Sequence, residues 1–182
     1  SNTTLPDILE TNFLTSLIKQ NKKILDVGCG NGIFLDRLRK KIRFNLALGL
    51  DYSETMISEA KKRKLNKTKF QVADMTDQKQ INFINQKFDY IITKRALINL
   101  ANFNQQIRVI ENLSKLLKKS GRILCCENSS TGLKNINLAR EKLKLKKIEA
   151  PWHNKYIEND KLIKFKFKNI KFIKLHEFSS SF

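Results

Sequence analysis

Catalytic side chains are scarce in this chain: its 182 residues include two His, three Cys and one Trp. Cys29 stands alone, and Cys125 and Cys126 are adjacent, so on a strand their side chains point to opposite faces. With no C-x-x-C anywhere, neither a zinc site nor a disulfide framework is expected, and no metal ligand set is read. A reduced, cytoplasmic setting is the expectation. No run of about 18 apolar residues occurs, so no membrane span is expected. Ser1-Asn2-Thr3-Thr4 lacks the basic and apolar regions of a secretory signal. Proline and glycine are few, at two and six residues, and there is no repeat or low-complexity linker; one domain over residues 1–182 follows. Acidic residues are also in short supply, 17 against 36 Lys and Arg, for a net charge of +19. Such a charge attracts anions generally. It accompanies an abundance of Lys, Asn, Ile and Phe, the pattern of an A/T-biased composition, and Arg, the residue favoured for phosphate and guanine, is the minor cation. Composition therefore accounts for the charge better than a nucleic-acid partner does.

What is present centres on Ile24-Leu25-Asp26-Val27-Gly28-Cys29-Gly30-Asn31-Gly32. The apolar run reads as a buried parallel strand, and the glycines after it as a turn open to close ligand approach. Ile33, Leu35 and Leu38 then begin a helix, whose unpaired N–H groups favour an anionic ligand group. The glycines run G-x-G-x-G, and Ile33 does not fit the dinucleotide pattern G-x-G-x-x-G, which counts against NAD and FAD.

Taken in order, Asp7 can cap a helix to about Lys19, the glycine-loop helix runs to about Lys41, and Leu46 to Asp51 is a second strand. Ser53 caps a helix through Lys64, Phe70 to Asp74 is a third strand, and Phe88 to Thr93 a fourth. Asn104 to Lys119 is amphipathic, Ser120-Gly121 stops it, and Arg122 to Glu127 is a fifth strand. This alternation predicts an α/β fold with a doubly wound, mostly parallel sheet. Leu133 to Leu145 is a further helix, Ile148 to Tyr156 is irregular, and Lys171 to Phe178 is the last strand expected. The lysine–aromatic interleave from Phe165 to Leu175 reads as amphipathic elements with a solvated basic face. Asp26, Asp51 and Asp74 fall near three successive strand ends, where open parallel sheets bind ligands. Asp51, about 20 residues past the loop, is placed to accept from a ribose diol.

Asp-Val-Gly-Cys-Gly-Asn-Gly resembles the first motif of class I methyltransferases that use S-adenosylmethionine (SAM), and the resemblance extends from Ile24 to Glu127. It implies a Rossmann-like SAM-binding domain: an N-terminal helix (1–20), a cofactor half (21–127) and an acceptor side (128–182). By that resemblance Gly28, Cys29, Gly30, Asn31 and Gly32 pass under the methionine part of SAM, and Asp26 helps orient its amino group through the loop. Asp51 would hold the ribose, with Tyr52 and Met56 on the adenine side. Asp74 and the Met75 backbone N–H would face the adenine edge, and Thr93 to Leu97, including Lys94 and Arg95, would border the methyl. A narrower resemblance lies in Arg95-Ala-Leu-Ile-Asn-Leu100, Glu127 to Leu133, Asn137 to Arg140 and Pro151-Trp-His-Asn-Lys-Tyr156. These are similar to a group of bacterial small-molecule methyltransferases, some in surface-sugar biosynthesis.

The expected activity is methyl transfer from SAM to an oxygen or nitrogen of a small molecule, a sugar or nucleotide-sugar type of metabolite. Such a nucleophile must lose a proton. His153 is the first candidate base; Glu127 is the second, or an anchor; Tyr156 and Trp152 would wall the acceptor pocket, with Asn99, Asn154, Arg95 and Arg140 as acceptor-binding groups. The alternatives are an RNA methyltransferase, against which Thr93-Lys-Arg-Ala replaces the Asn/Asp-Pro-Pro-Tyr/Phe of nucleobase N-methylation, and a non-catalytic SAM-binding protein. Class I sheets usually end in two more strands, and only one can be read here. The expectation is either a chain cut short relative to its relatives or a second subunit, as in a homo-oligomer, covering the exposed sheet edge.

Overall fold

The computed structural model describes residues 5–176. β1 (Lys22–Val27) lies at the middle of a five-stranded sheet, and its residues from Ile24 to Val27 are buried. A continuous apolar run suits that place, because a parallel strand flanked by two others is covered on both faces. β2 (Phe44–Asp51) and β3 (Thr68–Val72) extend the sheet on one side; β4 (Phe88–Lys94) and β5 (Leu117–Cys126) extend it on the other. The order is β3-β2-β1-β4-β5, and every pairing is parallel. After β3 the chain crosses back to lay β4 beside β1, so the winding reverses between those two strands. That reversal is the switch point where open sheets bind ligands, beyond the strands' carboxyl ends.

The helices are α1 (Leu5–Leu17), α2 (Ile33–Arg39), α3 (Glu54–Lys62), α4 (Gln78–Asn82), α5 (Phe103–Ser114), α6 (Ser130–Lys142) and α7 (Asn159–Lys164). Ser53 caps α3 as read from the sequence, its Oγ accepting from the Met56 N–H. Leu35 and Leu38 of α2, Ala60 of α3, Ile24, Ala47 and Ile92 are fully buried in one core with Leu14 and Ile18. Asp7 lies within α1 rather than before it, and its carboxylate pairs with Arg37 and Lys94. Burial alone would raise its pKa, but the two cations hold it below the ordinary carboxylate value.

The described residues form two compact units. One comprises the chain up to Lys94 together with 112–126, and holds the whole sheet; the other comprises 95–111 and 127 onward. In the second unit a 3-10 turn (Leu97–Asn99) is joined to the segment around Lys155. The Lys155 N–H donates to the Ile98 carbonyl at 2.7 Å, and the buried Gln106 amide donates to the carbonyls of Leu97 and Lys155. Ile157 and Ser129 form a parallel bridge, which ties the same segment to the start of α6.

Two expectations about secondary structure are corrected. The helix read as Asn104 to Lys119 ends at Ser114, and Leu117 already pairs with Phe88. Leu113, Leu116 and Leu117 fit a helical spacing, yet the last of them serves as the entry to β5. Ser120-Gly121 does not separate helix from strand; it lies inside β5, where the register jumps from Phe88↔Leu117 to Tyr90↔Arg122. The strand read as Lys171 to Phe178 is absent over its described part, residues 171–176; Glu177 and Phe178 lie outside the described residues. Its apolar residues Phe172, Ile173 and Leu175 would fall on both faces of a strand, and no strand edge pairs with it there; just before it, the Lys168 N–H donates to Glu111 of α5. Among the described residues the sheet ends with β5, without the further strands of a complete class I sheet.

Candidate functional site

The loop leaving β1 takes its shape from three left-handed glycines: Gly28, Gly30 and Gly32 have φ of 75°, 52° and 74°. Other residues adopt that region at a cost of about 1–2 kcal/mol. Two of them have separate reasons to lack a side chain. A Cβ at Gly32 would come within 2.7 Å of the Phe70 ring, so this glycine lets loop and sheet approach. A Cβ at Gly30 would meet nothing within 4 Å, so here the bare backbone faces open space. The N–H groups of Gly28 and Cys29 both donate to the Leu50 carbonyl, which pins the loop to the end of β2.

Asp51 ends β2 and is buried, with Oδ2 accepting from the Gly30 N–H at 2.8 Å and Oδ1 from the Ser53 N–H at 2.9 Å. One carboxylate thus fixes both the loop and the start of α3, and each oxygen keeps a lone pair for a ligand hydroxyl. Asp26 is 1% exposed, and its Oδ2 has no hydrogen-bond partner among the described residues. Burial pushes its pKa up to about 7, against the pull of Lys94 and with a smaller push from Asp51. A buried carboxyl oxygen left without a donor is costly, and an ammonium group from a ligand would satisfy it. The Cys29 thiol is raised as well, by burial first and then by Asp26 and Asp51, so it is inert beside the loop.

Asp74 lies two residues past the end of β3, is exposed, and holds an Asx turn: its Oδ1 accepts from the Thr76 N–H and hydroxyl, both at 2.8 Å. Met75 beside it is half-buried; Tyr52 and Met56 are exposed. Asn31 accepts from the Ile33 N–H through Oδ1 and from Arg63 through its carbonyl. Lys94 pairs with Asp7 and, at 3.0 Å, with Glu10, both of α1. That use of Lys94 had no signal in the sequence, because it depends on α1 returning to the end of β4.

The acceptor-side candidates fall in the second unit. Arg95 follows β4 with φ 54°, and its carbonyl accepts from the Asn99 amide. Glu127 spreads its carboxylate over the 3-10 turn, accepting from the N–H groups of Ala96, Leu97 and Ile98 at 3.2, 3.1 and 3.4 Å. This caps the turn and occupies most of the carboxylate's acceptor capacity. Arg140 donates from Nε to the Lys146 carbonyl, and Asn154 donates to Asn99 at 2.9 Å. His153 is exposed, with its ring edge-on to Trp152, itself 89% exposed. Tyr156 is half-buried, and its hydroxyl accepts from Asn128. A cavity of about 680 Å³ brings together Asn154 and Tyr156; Glu127, His153 and Trp152 are not in its lining. Ser130, Leu133, Lys134 and Asn137 of α6 also line it. Their i, i+3, i+4, i+7 spacing puts them on one helix face; α6 starts at Ser130 rather than at Leu133, and it buries no residue, so it carries no apolar stripe. Among the described residues no group of His, Cys, Asp or Glu could hold a metal, and no helix is long and apolar enough to cross a membrane.

The model of a methyltransferase domain family matches residues 18–169. The chain belongs to that family. The methyltransferase domain is 29% identical over 123 residues to the ubiquinone/menaquinone biosynthesis C-methyltransferase of Rickettsia peacockii, covering 64% of this chain and 48% of the relative. It therefore spans about half the length of the curated relatives it matches. A Pyrococcus horikoshii protein shares the fold with a TM-score of 0.61 at 26% identity, over 77% of this chain and 65% of that one. The Synechocystis magnesium protoporphyrin IX methyltransferase, solved with S-adenosylhomocysteine (SAH) bound, has a TM-score of 0.62 at 18% identity, covering 87% and 68%. The cofactor of the methyltransferase domain is SAM, and the first unit fits it: open space over Gly30 admits a ligand to the backbone, and the Asp26 oxygen is left for an ammonium.

Proposed function

We propose that the two units work as one methyltransferase domain that methylates an oxygen or nitrogen of a small molecule. The observation that carries this reading is the glycine loop, which leaves Gly30 bare toward open space while Asp51 holds its N–H. Gly28 to Gly32 would carry the methionine part of SAM, with Asp26 on its ammonium. Asp51 would accept from the ribose hydroxyls, and Asp74, Met75, Tyr52 and Met56 would take the adenine end. SAM supplies an electrophilic methyl group on sulfur. The protein's part is positioning, which can provide much of the rate, and removal of the acceptor's proton. His153, exposed and edge-on to the Trp152 ring, is the group we assign to that proton. Glu127 acts by shaping the turn from Ala96 to Ile98, and Arg95, Asn99, Arg140, Trp152, Asn154 and Tyr156 shape the acceptor side.

Calorimetric titration with SAH and NAD tests the cofactor half. SAH should bind, and at 100 times Kd should raise the unfolding free energy by about 2.7 kcal/mol. A response to NAD without one to SAH would overturn the reading. Mass detection of methylated products from sugar, nucleotide-sugar and phenolic acceptors, with the site located on oxygen, nitrogen or carbon, tests the acceptor half; transfer only to carbon would overturn it. Methylation of RNA in preference to any of these would replace the small molecule by a nucleic acid.

A further inference from the structure

The cavity in the second unit has an uneven inventory of polar groups. Its one acidic side chain, Glu158, is neutralised by Lys161 at 2.7 Å. Asn137 is spent on the backbone of Ile148, through Oδ1 and Nδ2 at 2.8 Å each. The Ser130 hydroxyl donates to the Ile157 carbonyl. Asn154 uses its amide group on Asn99, and Asn102 uses its oxygen on the Gln105 N–H. What remains is rich in donors: the Tyr156 O–H, whose oxygen already accepts from Asn128, and the ammonium groups of Lys134 and Lys155. Both lysines are exposed, and among the described residues neither ammonium has an ion-pair or hydrogen-bond partner. The rest of the wall is apolar, from Ala101, Phe103, Leu133 and Ala150.

We infer that this cavity takes a small molecule bearing a carboxylate or phosphate, with the anionic group at Lys134 and Lys155 and an apolar body against Phe103 and Leu133. This deepens the proposed function, on which it rests, by giving the acceptor a charge. Two features separate it from general attraction by a cationic surface. The cavity's only carboxylate is already paired, so nothing in the lining opposes an anion, and the apolar wall favours a ligand with a hydrophobic body over a bare ion. Lys134 lies on the α6 face that lines the cavity, next to Leu133, so charge and apolar contact are offered by neighbouring positions.

Two probes with one body and different charge test this: 2-naphthoate and 2-naphthamide, titrated into the whole chain and followed by ligand-observed NMR. Naphthoate should bind about tenfold more tightly than naphthamide. Lys134→Met should weaken naphthoate about threefold and the double variant with Lys155→Met about tenfold, leaving naphthamide unchanged. Equal binding of the two probes, no binding of naphthoate at millimolar concentration, or naphthoate binding indifferent to both substitutions would overturn the inference. SAH titrated into the same samples reports the cofactor half by itself, and circular dichroism confirms that each variant is folded. Loss of the SAH response with retained naphthoate selectivity would sink the methyltransferase reading and leave the anion site standing.

Discussion

Asp26 is the residue whose protonation matters most. Fully buried, with a pKa near 7, it faces the positive charge of Lys94 and the negative charge of Asp51. A ligand ammonium needs the carboxylate form, so SAH affinity should rise by up to tenfold per pH unit as the pH approaches 7, then level off. Asp26→Asn should flatten that profile, as calorimetry across pH 5.5–8.5 would show. Stability runs the other way. The folded pKa lies above the ordinary value of 3.8, so this group's contribution is complete below pH 3.8 and is lost as pH rises through 7. Gly30 and Gly32 make a matched pair. Both share the left-handed cost, but only Gly32→Ala must also displace the Phe70 ring. Gly32→Ala should therefore destabilise the fold by about 2–4 kcal/mol in denaturant titrations. Gly30→Ala should cost about 1–2 kcal/mol in stability and in addition weaken SAH, because its methyl fills the space over the loop. Equal effects on SAH affinity per unit of lost stability would contradict this division. The loop glycines and Asp51 were legible from spacing alone. The double duty of Asp51 was not, since the Gly30 and Ser53 N–H groups that it holds are positioned by the loop's conformation.

At the level of elements, the register jump in β5 is the least expected feature. β5 advances five positions, from Leu117 to Arg122, while β4 advances two, from Phe88 to Tyr90, so Lys118 to Gly121 make a detour and rejoin. Gly121 sits where the detour returns: a Cβ there would lie 2.9 Å from the Phe88 carbonyl and 3.1 Å from that of Lys118. Backbone cannot yield as a flexible side chain does. Gly121→Ala should cost about 1–3 kcal/mol by chemical denaturation, with SAH affinity unchanged in the folded fraction; a neutral substitution would show that β5 enters the sheet differently. The sequence marked a break at Ser120-Gly121 but could not say whether it separated two elements or bent one, because Leu116 and Leu117 fit both a helix face and a strand entry. Buried strands β1, β2 and β4 were readable from their continuous apolar runs. The fate of Lys171 to His176 was not, since Phe172, Ile173 and Leu175 do not share one face, and a β-prone run becomes a strand only when an edge is there to pair with it.

At the scale of the whole molecule, charge and topology set the behaviour. With +19 spread over surface lysines, polyanions should bind weakly and without selectivity. Log affinity for single-stranded RNA should fall with log salt by about 0.7 per neutralised phosphate and vanish near physiological ionic strength, as fluorescence anisotropy would show. Binding that persists there and depends on sequence would promote the RNA alternative. The family was readable from the seven residues Asp26 to Gly32, which end β1 and form the loop after it, while the acceptor side was not, because its cavity is assembled from three separated stretches of chain. The strand order also carries a consequence for the nascent chain at the ribosome. β1 can pair with β2 early, but its other edge belongs to β4, which is made some sixty residues later. Until then a central, apolar strand stands with one side unclaimed, the condition under which growing chains stick to one another. Lys22 and Lys23, the first residues of β1, put two charges at the head of that strand, in the manner of gatekeepers that keep neighbouring chains apart during the wait.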